Sequence, residues 1–197
     1  MRTPLPFTWP YFLVFWPIFV WVFSPEFRIV RRSTRNTPAP AEDRGSLRVV
    51  LAGFGIATFA AFLLAFVARG ATLPGNRSVW FFIGLLTLIS GSLLRRHCFR
   101  VLGTFFTGVV EVQTDHRVVD AGAYRWVRHP SYSAALLIIS GIALSLGNWL
   151  SFVVSFVVAF LAYSYRAHVE EQALLSSLGA PYARFMATRK RFIPFIW

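Results

Sequence analysis

Long apolar runs separated by short charged segments set the pattern of this chain. The first runs from about Phe7 to Phe23, with Trp9, Trp16 and Trp21 spaced along it and Pro17 inside. It predicts a short, kinked spanning helix ended by Ser24-Pro25, followed by a polar loop to Arg48. Val49 to Val67 carries no charge, and at about 1.5 Å per residue it reaches across a roughly 30 Å hydrocarbon core. Gly53 and Gly55 within it would let another helix approach closely. Ser78 to Leu94 predicts a third span. Ser133 to Leu146 and Leu150 to Tyr165, joined by Gly147-Asn148-Trp149, read as a tight helical hairpin of two short spans. Between the third and fourth runs, Val109 to Val112 and Arg117 to Val119 suggest a small strand pair around Thr114-Asp115-His116. The segment after Tyr165 is mixed and amphipathic, contains Pro181 and Pro194, ends in Phe195-Ile196-Trp197, and suits a membrane surface. The fold expected is an all-α integral membrane protein of about five transmembrane helices with a cytosolic C-terminal amphipathic segment. It forms a single membrane domain, with residues 1–94 as a three-helix part and 95–197 as a second, chemistry-bearing part.

Composition supports this picture, with 56% hydrophobic and only 14% charged residues. The net charge of +12 would suit nucleic acid, but apolar runs interrupt the basic residues and leave no continuous basic face. We therefore expect no nucleic-acid partner. Seventeen of the twenty Lys and Arg residues fall in the segments 24–48, 95–132 and 166–197, which five spans place on one side. Only Arg2, Arg69 and Arg77 fall on the other. That split puts the C-terminal segment in the cytosol and explains most arginines as topology determinants. The near-exclusive use of arginine, with Lys190 the one lysine, points to a GC-rich bacterial genome and hence an inner membrane. Crowded aromatics and the lack of a small-residue cleavage site make the N-terminal run a retained segment. Cys98 is the single cysteine, and His97, His116, His129 and His168 form no ligand pattern, so no metal is expected.

Chemistry concentrates at two boundaries. Tyr124-Arg125-Trp126-Val127-Arg128-His129-Pro130-Ser131-Tyr132 leads into the fourth run, and Pro130 suits a first helical turn, where its missing N–H costs nothing. One reading is a helix start with an interfacial arginine. The other is a pocket wall in which Arg128, His129 and the aromatic rings offer donors to a polar or anionic ligand. The second boundary, after the fifth run, holds Arg166, Glu170 and Glu171. Arg166 and Glu170 stand four apart, the spacing of a helical ion pair worth a few tenths of a kcal/mol if exposed. Glu170 and Glu171 point about 100° apart on a helix, so they would not serve the same contact.

Gly122-Ala123-Tyr124, Arg128-His129-Pro130-Ser131-Tyr132, the apolar hairpin, Arg166, Glu170-Glu171, Leu174, Gly179, Tyr182 and Phe185 together resemble the isoprenylcysteine carboxyl methyltransferase family. Its signature is an Arg-His-Pro-x-Tyr segment, a hydrophobic stretch and a Glu-Glu pair, much of which the phospholipid methyltransferases share. The resemblance covers about Arg95 to the C-terminus. It implies an integral membrane enzyme that moves a methyl group from S-adenosyl-L-methionine to a lipophilic acceptor, such as the carboxylate of a prenylcysteine-like or isoprenoid substrate. The cofactor-binding residues implied are Tyr124, Arg128, His129, Pro130, Tyr132, Glu170 and Glu171. As catalytic candidates the reading gives Arg166, to hold an acceptor carboxylate by bidentate hydrogen bonds, with Glu170 and His129. Ala123 stands where the family frequently has proline, and Ser133 where it has a small residue.

Two further readings accompany it. A sterol-reductase-like membrane enzyme would use NADPH, although no phosphate-cradling glycine-rich turn follows a strand here. A non-enzymatic scaffold would contact anionic membrane lipids through its basic loops. Neither the acceptor nor the oligomeric state is written in the pattern.

Overall fold

The computed structural model of the chain describes residues 3–33, 43–103 and 118–193. The strand pair expected around Thr114-Asp115-His116 and the terminal Phe195-Ile196-Trp197 lie outside them. Among these residues six α-helices follow in order: α1 Phe12–Ser33, α2 Ser46–Val67, α3 Arg77–Leu102, α4 Pro130–Leu146, α5 Trp149–Leu178 and α6 Ala180–Thr188. No strand forms among the described residues. Three helices, α2, α3 and α5, are long and apolar enough to cross a membrane, and α4 and the first part of α1 are shorter apolar helices. Many large apolar side chains, Val20, Phe59, Val67, Leu86 and Leu161 among them, face outward. In water they would form an aggregation surface; in lipid they are the ordinary outer face of a bundle.

The helices run past the boundaries expected from the sequence. Helix α1 continues through Ser24-Pro25 to Ser33. Proline removes the N–H that would bond the carbonyl of Trp21, but that carbonyl accepts from Ser24 Oγ at 2.8 Å and from Arg96 Nη2 at 2.7 Å. The Arg96 guanidinium also covers the Trp21 ring, 4.4 Å from its centroid. Helix α3 likewise extends through Arg95 to Leu102, and α5 through Arg166 to Leu178. Charge there marks departure from the apolar region and does not break a helix. The breaks come at Gly103 and Gly179, with φ of 54° and 59°.

Packing is pairwise. Helix α3 lies along α4 and α2 along α5, with α4 and α5 joined as the expected hairpin. A core of Phe15, Val22, Ala61, Phe81, Leu88, Ile138 and Ile142 joins α1 to α4, and a second core of Ala57, Ala135, Ile139, Ala159 and Tyr163 joins α2, α4 and α5. Gly53 meets Ala162 of α5 as its composition suggested, but Gly55 faces open space. The closest backbone approach is elsewhere, where Gly84 of α3 meets α4 at Gly141 and Ser145 and Gly91 meets it at Ala134 and Ile138.

At one end of the bundle the α4–α5 turn is clasped by the α2–α3 turn. Asn148 caps α5 through Oδ1 on Ser151 N at 2.9 Å, and its Nδ2 donates to Ala68 O at 2.7 Å. This clasp fixes the hairpin. At the opposite end the same antiparallel geometry brings together the start of α2, the start of α4 and the last turns of α5.

Candidate active site

The start of α4 is built from backbone outward. His129 is its N-cap and the buried Pro130 its first residue. The strand-like segment after α6 crosses beside it, with Arg128 N donating to Lys190 O at 2.9 Å and His129 N to Arg191 O at 3.0 Å. Ser133 Oγ adds a bond to Phe192 O at 2.6 Å. Phe192 is buried against the rings of His129, Tyr132 and Phe160. The imidazole of His129 stacks on the Tyr132 phenol at 5.1 Å, the planes 4° apart.

Onto this wall α5 delivers its two glutamates, and their roles divide. The Glu171 side chain is 4% exposed and surrounded by cations. Its Oε1 lies 3.0 Å from His129 Nε2, 3.2 Å from Arg128 Nε and 3.2 Å from Arg191 Nε, and its Oε2 lies 2.5 Å from Arg191 Nη2. A carboxylate between two arginines is ionised and only accepts, so His129 Nε2 is the donor in their hydrogen bond. Glu170 keeps 32% of its side chain exposed, accepts from the Tyr132 hydroxyl, and has its Oε2 3.7 Å from His129 Nδ1. The 100° offset read from the sequence does separate the two acids, yet one imidazole lies between both.

Arg166 goes where the sequence reading did not send it. Its Nη1 donates to Asp43 Oδ1 at 2.6 Å and to Ser46 Oγ at 2.7 Å, and its Nε to Tyr132 Oη at 3.3 Å. The guanidinium is buried and committed to protein partners. Tyr124, on a 3₁₀ turn over Gly122–Arg125, is buried at the α3 side of the same region. Its phenol is held well above the ordinary range, chiefly by burial and further by Cys98 and Glu170. Tyr182 of α6 is raised in the same way, by burial first and then by the charges of Glu170 and Glu171. Both stay neutral and able to donate. All the sequence-derived candidates thus collect at one end of the bundle, around the His129 wall.

Asp43, Ser46 and Arg191 are additions that the sequence reading missed. Asp43 and its neighbour Glu42 are acids in a basic flank a few residues before the uncharged run that begins at Val49, and that was its only signal. Arg191 is indistinguishable in sequence from its neighbours Arg189 and Lys190. A surface groove lined by Phe12, Trp16, Val20 and Trp21 lies on the outer face of α1, away from this cluster.

Comparison with known proteins places this arrangement. The model of the isoprenylcysteine carboxyl methyltransferase family matches residues 82–176, which include both glutamates. Over 138 residues the chain is 28% identical to protein-S-isoprenylcysteine O-methyltransferase B of Arabidopsis thaliana, spanning 68% of this chain and 70% of that one. Over 116 residues it is 34% identical to the protein-S-isoprenylcysteine O-methyltransferase of Saccharomyces cerevisiae, spanning 58% and 48%. Its fold resembles a solved eukaryotic intramembrane Ras methyltransferase, isoprenylcysteine carboxyl methyltransferase, with a TM-score of 0.62 at 27% identity. That match covers 73% of this chain and 52% of the other, so the chain spans about half of the solved protein. The class so defined is that of helical integral membrane methyltransferases dependent on S-adenosyl-L-methionine. Within that class the chain is similar to the isoprenylcysteine carboxyl methyltransferase family, as its motifs suggested, and the reductase and scaffold readings give way.

Proposed function

We propose that this protein methylates the carboxylate of a prenylcysteine-like or isoprenoid acceptor that reaches the site from the bilayer. The observation that carries the proposal is the meeting of Arg128 and His129 with Glu170 and Glu171 across 42 residues of chain at one end of the membrane hairpin. S-adenosyl-L-methionine, when bound, supplies an electrophilic methyl on a sulfonium, together with an ammonium and a carboxylate. The donor set fits that chemistry. Glu170, partly exposed, would accept from the cofactor's polar hydrogens, and Tyr132 fixes its orientation. Arg128 and Arg191 carry one positive charge beyond what Glu171 neutralises, a counter-charge for a carboxylate. Tyr124, Tyr182 and Pro130 supply neutral walls.

A carboxylate acceptor has no proton to lose, so no base is required. His129, with Nε2 on Glu171, therefore holds the site together and does not abstract a proton. The rate enhancement comes from alignment and exclusion of water, since charge disappears as the methyl moves. Arg166, engaged by Asp43, Ser46 and Tyr132, is a positioning residue in this scheme and not the acceptor clamp. The asymmetry of arginines supports a site on the cytosolic face of a bacterial inner membrane.

Calorimetry of the detergent-purified protein tests this. The wild type should bind S-adenosylmethionine and its demethylated product near micromolar Kd, and Glu170→Gln should weaken both by about tenfold or more through loss of one charge-assisted bond. Methyl transfer should occur to a farnesylcysteine with a free carboxylate and not to its amide. Binding of NADPH in place of S-adenosylmethionine, or a Glu170→Gln protein that binds like the wild type, would refute the assignment.

A further inference from the structure

Asp43 lies outside the residues that match the family, 39 positions before them. It is nonetheless 1% exposed, and three donors hold it. Ser46 Oγ approaches Oδ1 at 3.0 Å, Leu47 N approaches Oδ2 at 3.2 Å, and Arg166 Nη1 approaches Oδ1 at 2.6 Å. The same guanidinium donates through Nε to Tyr132 Oη. A hydroxyl that accepts from a guanidinium sends its own hydrogen elsewhere, and Tyr132 sends it to Glu170 Oε2. The bonds therefore run in one direction, from the Arg166 donors through the Tyr132 hydroxyl to the Glu170 carboxylate, with Asp43 and Ser46 fixing the start.

We propose that Asp43 is a positioning residue for cofactor binding. It orients Arg166, which sets the direction of the Tyr132 hydroxyl, which in turn pins one oxygen of Glu170 and leaves the remainder of that half-open carboxylate for the ligand. This rests on the reading of Glu170 as a cofactor contact. It assigns a task to the first turn of α2, a part of the chain remote in sequence from the signature motifs. A buried ion pair is weak evidence of stabilisation, because desolvation offsets most of its attraction. Its distinctive consequence is directional: neutral or apolar replacements at Asp43 would leave Arg166 free to turn from Tyr132.

The test is a double-mutant cycle read by calorimetric binding of the demethylated cofactor product, with thermal unfolding measured alongside. Asp43→Asn and Tyr132→Phe should each weaken binding by about fivefold to tenfold, and the double variant should be no weaker than Tyr132→Phe alone. A purely structural Asp43 would instead lower the unfolding temperature and add its effect in full to that of Tyr132→Phe. Additive losses, or an Asp43→Asn protein within about twofold of wild-type affinity, would overturn the inference. Should Asp43→Asn fail to fold, Arg166→Lys keeps a partner for Asp43 but lacks the Nε donor, and its effect should vanish in the Tyr132→Phe background. Glu170→Gln separates the levels. If it binds like the wild type, the cofactor reading of Glu170 falls and this inference with it; if it weakens binding while Asp43→Asn does not, the relay alone falls.

Discussion

Glu171→Ala should cost the protein about 3–5 kcal/mol of stability, because it leaves buried cations without their counter-charge. Arg128, His129 and Arg191 all converge on this one carboxylate, at 3.2, 3.0 and 2.5 Å. Its loss would leave two guanidinium groups facing each other across a cavity. For a chain of this size the expected shift is a fall of about 10 °C in the unfolding midpoint, readable by thermal gel filtration in detergent. Cofactor binding should disappear as well, since the His129 wall and the segment at Arg191 would part. Arg191→Ala should be milder, because Arg128 still pairs with Glu171 and His129 Nε2 still lies within hydrogen-bond distance of it. An unfolding midpoint for Glu171→Ala within about 2 °C of wild type would show that these ion pairs contribute nothing net, as some exposed pairs do.

The division of labour between Glu170 and Glu171 shows where sequence reasoning stopped. Adjacent helical positions differ by about 100°, which correctly separates the two acids. It does not say which turns inward, because that depends on where α4 lies beside α5. The order Arg128-His129-Pro130-x-Tyr132, apolar hairpin, Glu170-Glu171 was legible as a unit because one antiparallel hairpin suffices to close it. Arg166 was legible as important but not in its role. Its partners Asp43 and Ser46 come from the start of α2, and no local spacing links positions 120 and more residues apart.

The same distinction runs through the fold. Apolar runs mark the helices well, since lipid demands a continuous apolar surface. Their ends are tertiary facts. Ser24-Pro25 reads locally as a stop, and only Arg96 from α3 and Ser24 itself make the Trp21 carbonyl satisfied enough for α1 to continue. The three turns of α5 beyond Tyr165 read in sequence as part of an amphipathic segment lying on the membrane surface. They are the arm that carries the glutamates back to α4.

Gly141→Val is the substitution expected to do the greatest damage from outside the site. A Cβ at Gly141 would lie 2.5 Å from Leu88 N and 2.7 Å from both Gly84 O and Leu88 Cα. These are backbone atoms of α3, so no rotamer change relieves the overlap, and α3 and α4 must separate. Overpacking typically costs about 1–3 kcal/mol where side chains can shift, and the cost here exceeds that range because they cannot. Moving α4 also moves His129 and Tyr132, which it carries at its first turn. Gly141→Val should therefore yield little folded protein, and what remains should not bind the cofactor. Gly53→Ala should be intermediate, since its contact is the Ala162 methyl, and Gly55→Val should melt and bind like the wild type because nothing lies within 4 Å of its Cβ position. Gly55 and Gly141 look alike in the sequence, each in an apolar run, and only Gly141 has a second helix against it. A Gly141→Val protein that melts and binds normally would mean that α3 and α4 are not held together by this glycine contact, and that the geometry of the site is set by the α4–α5 hairpin alone.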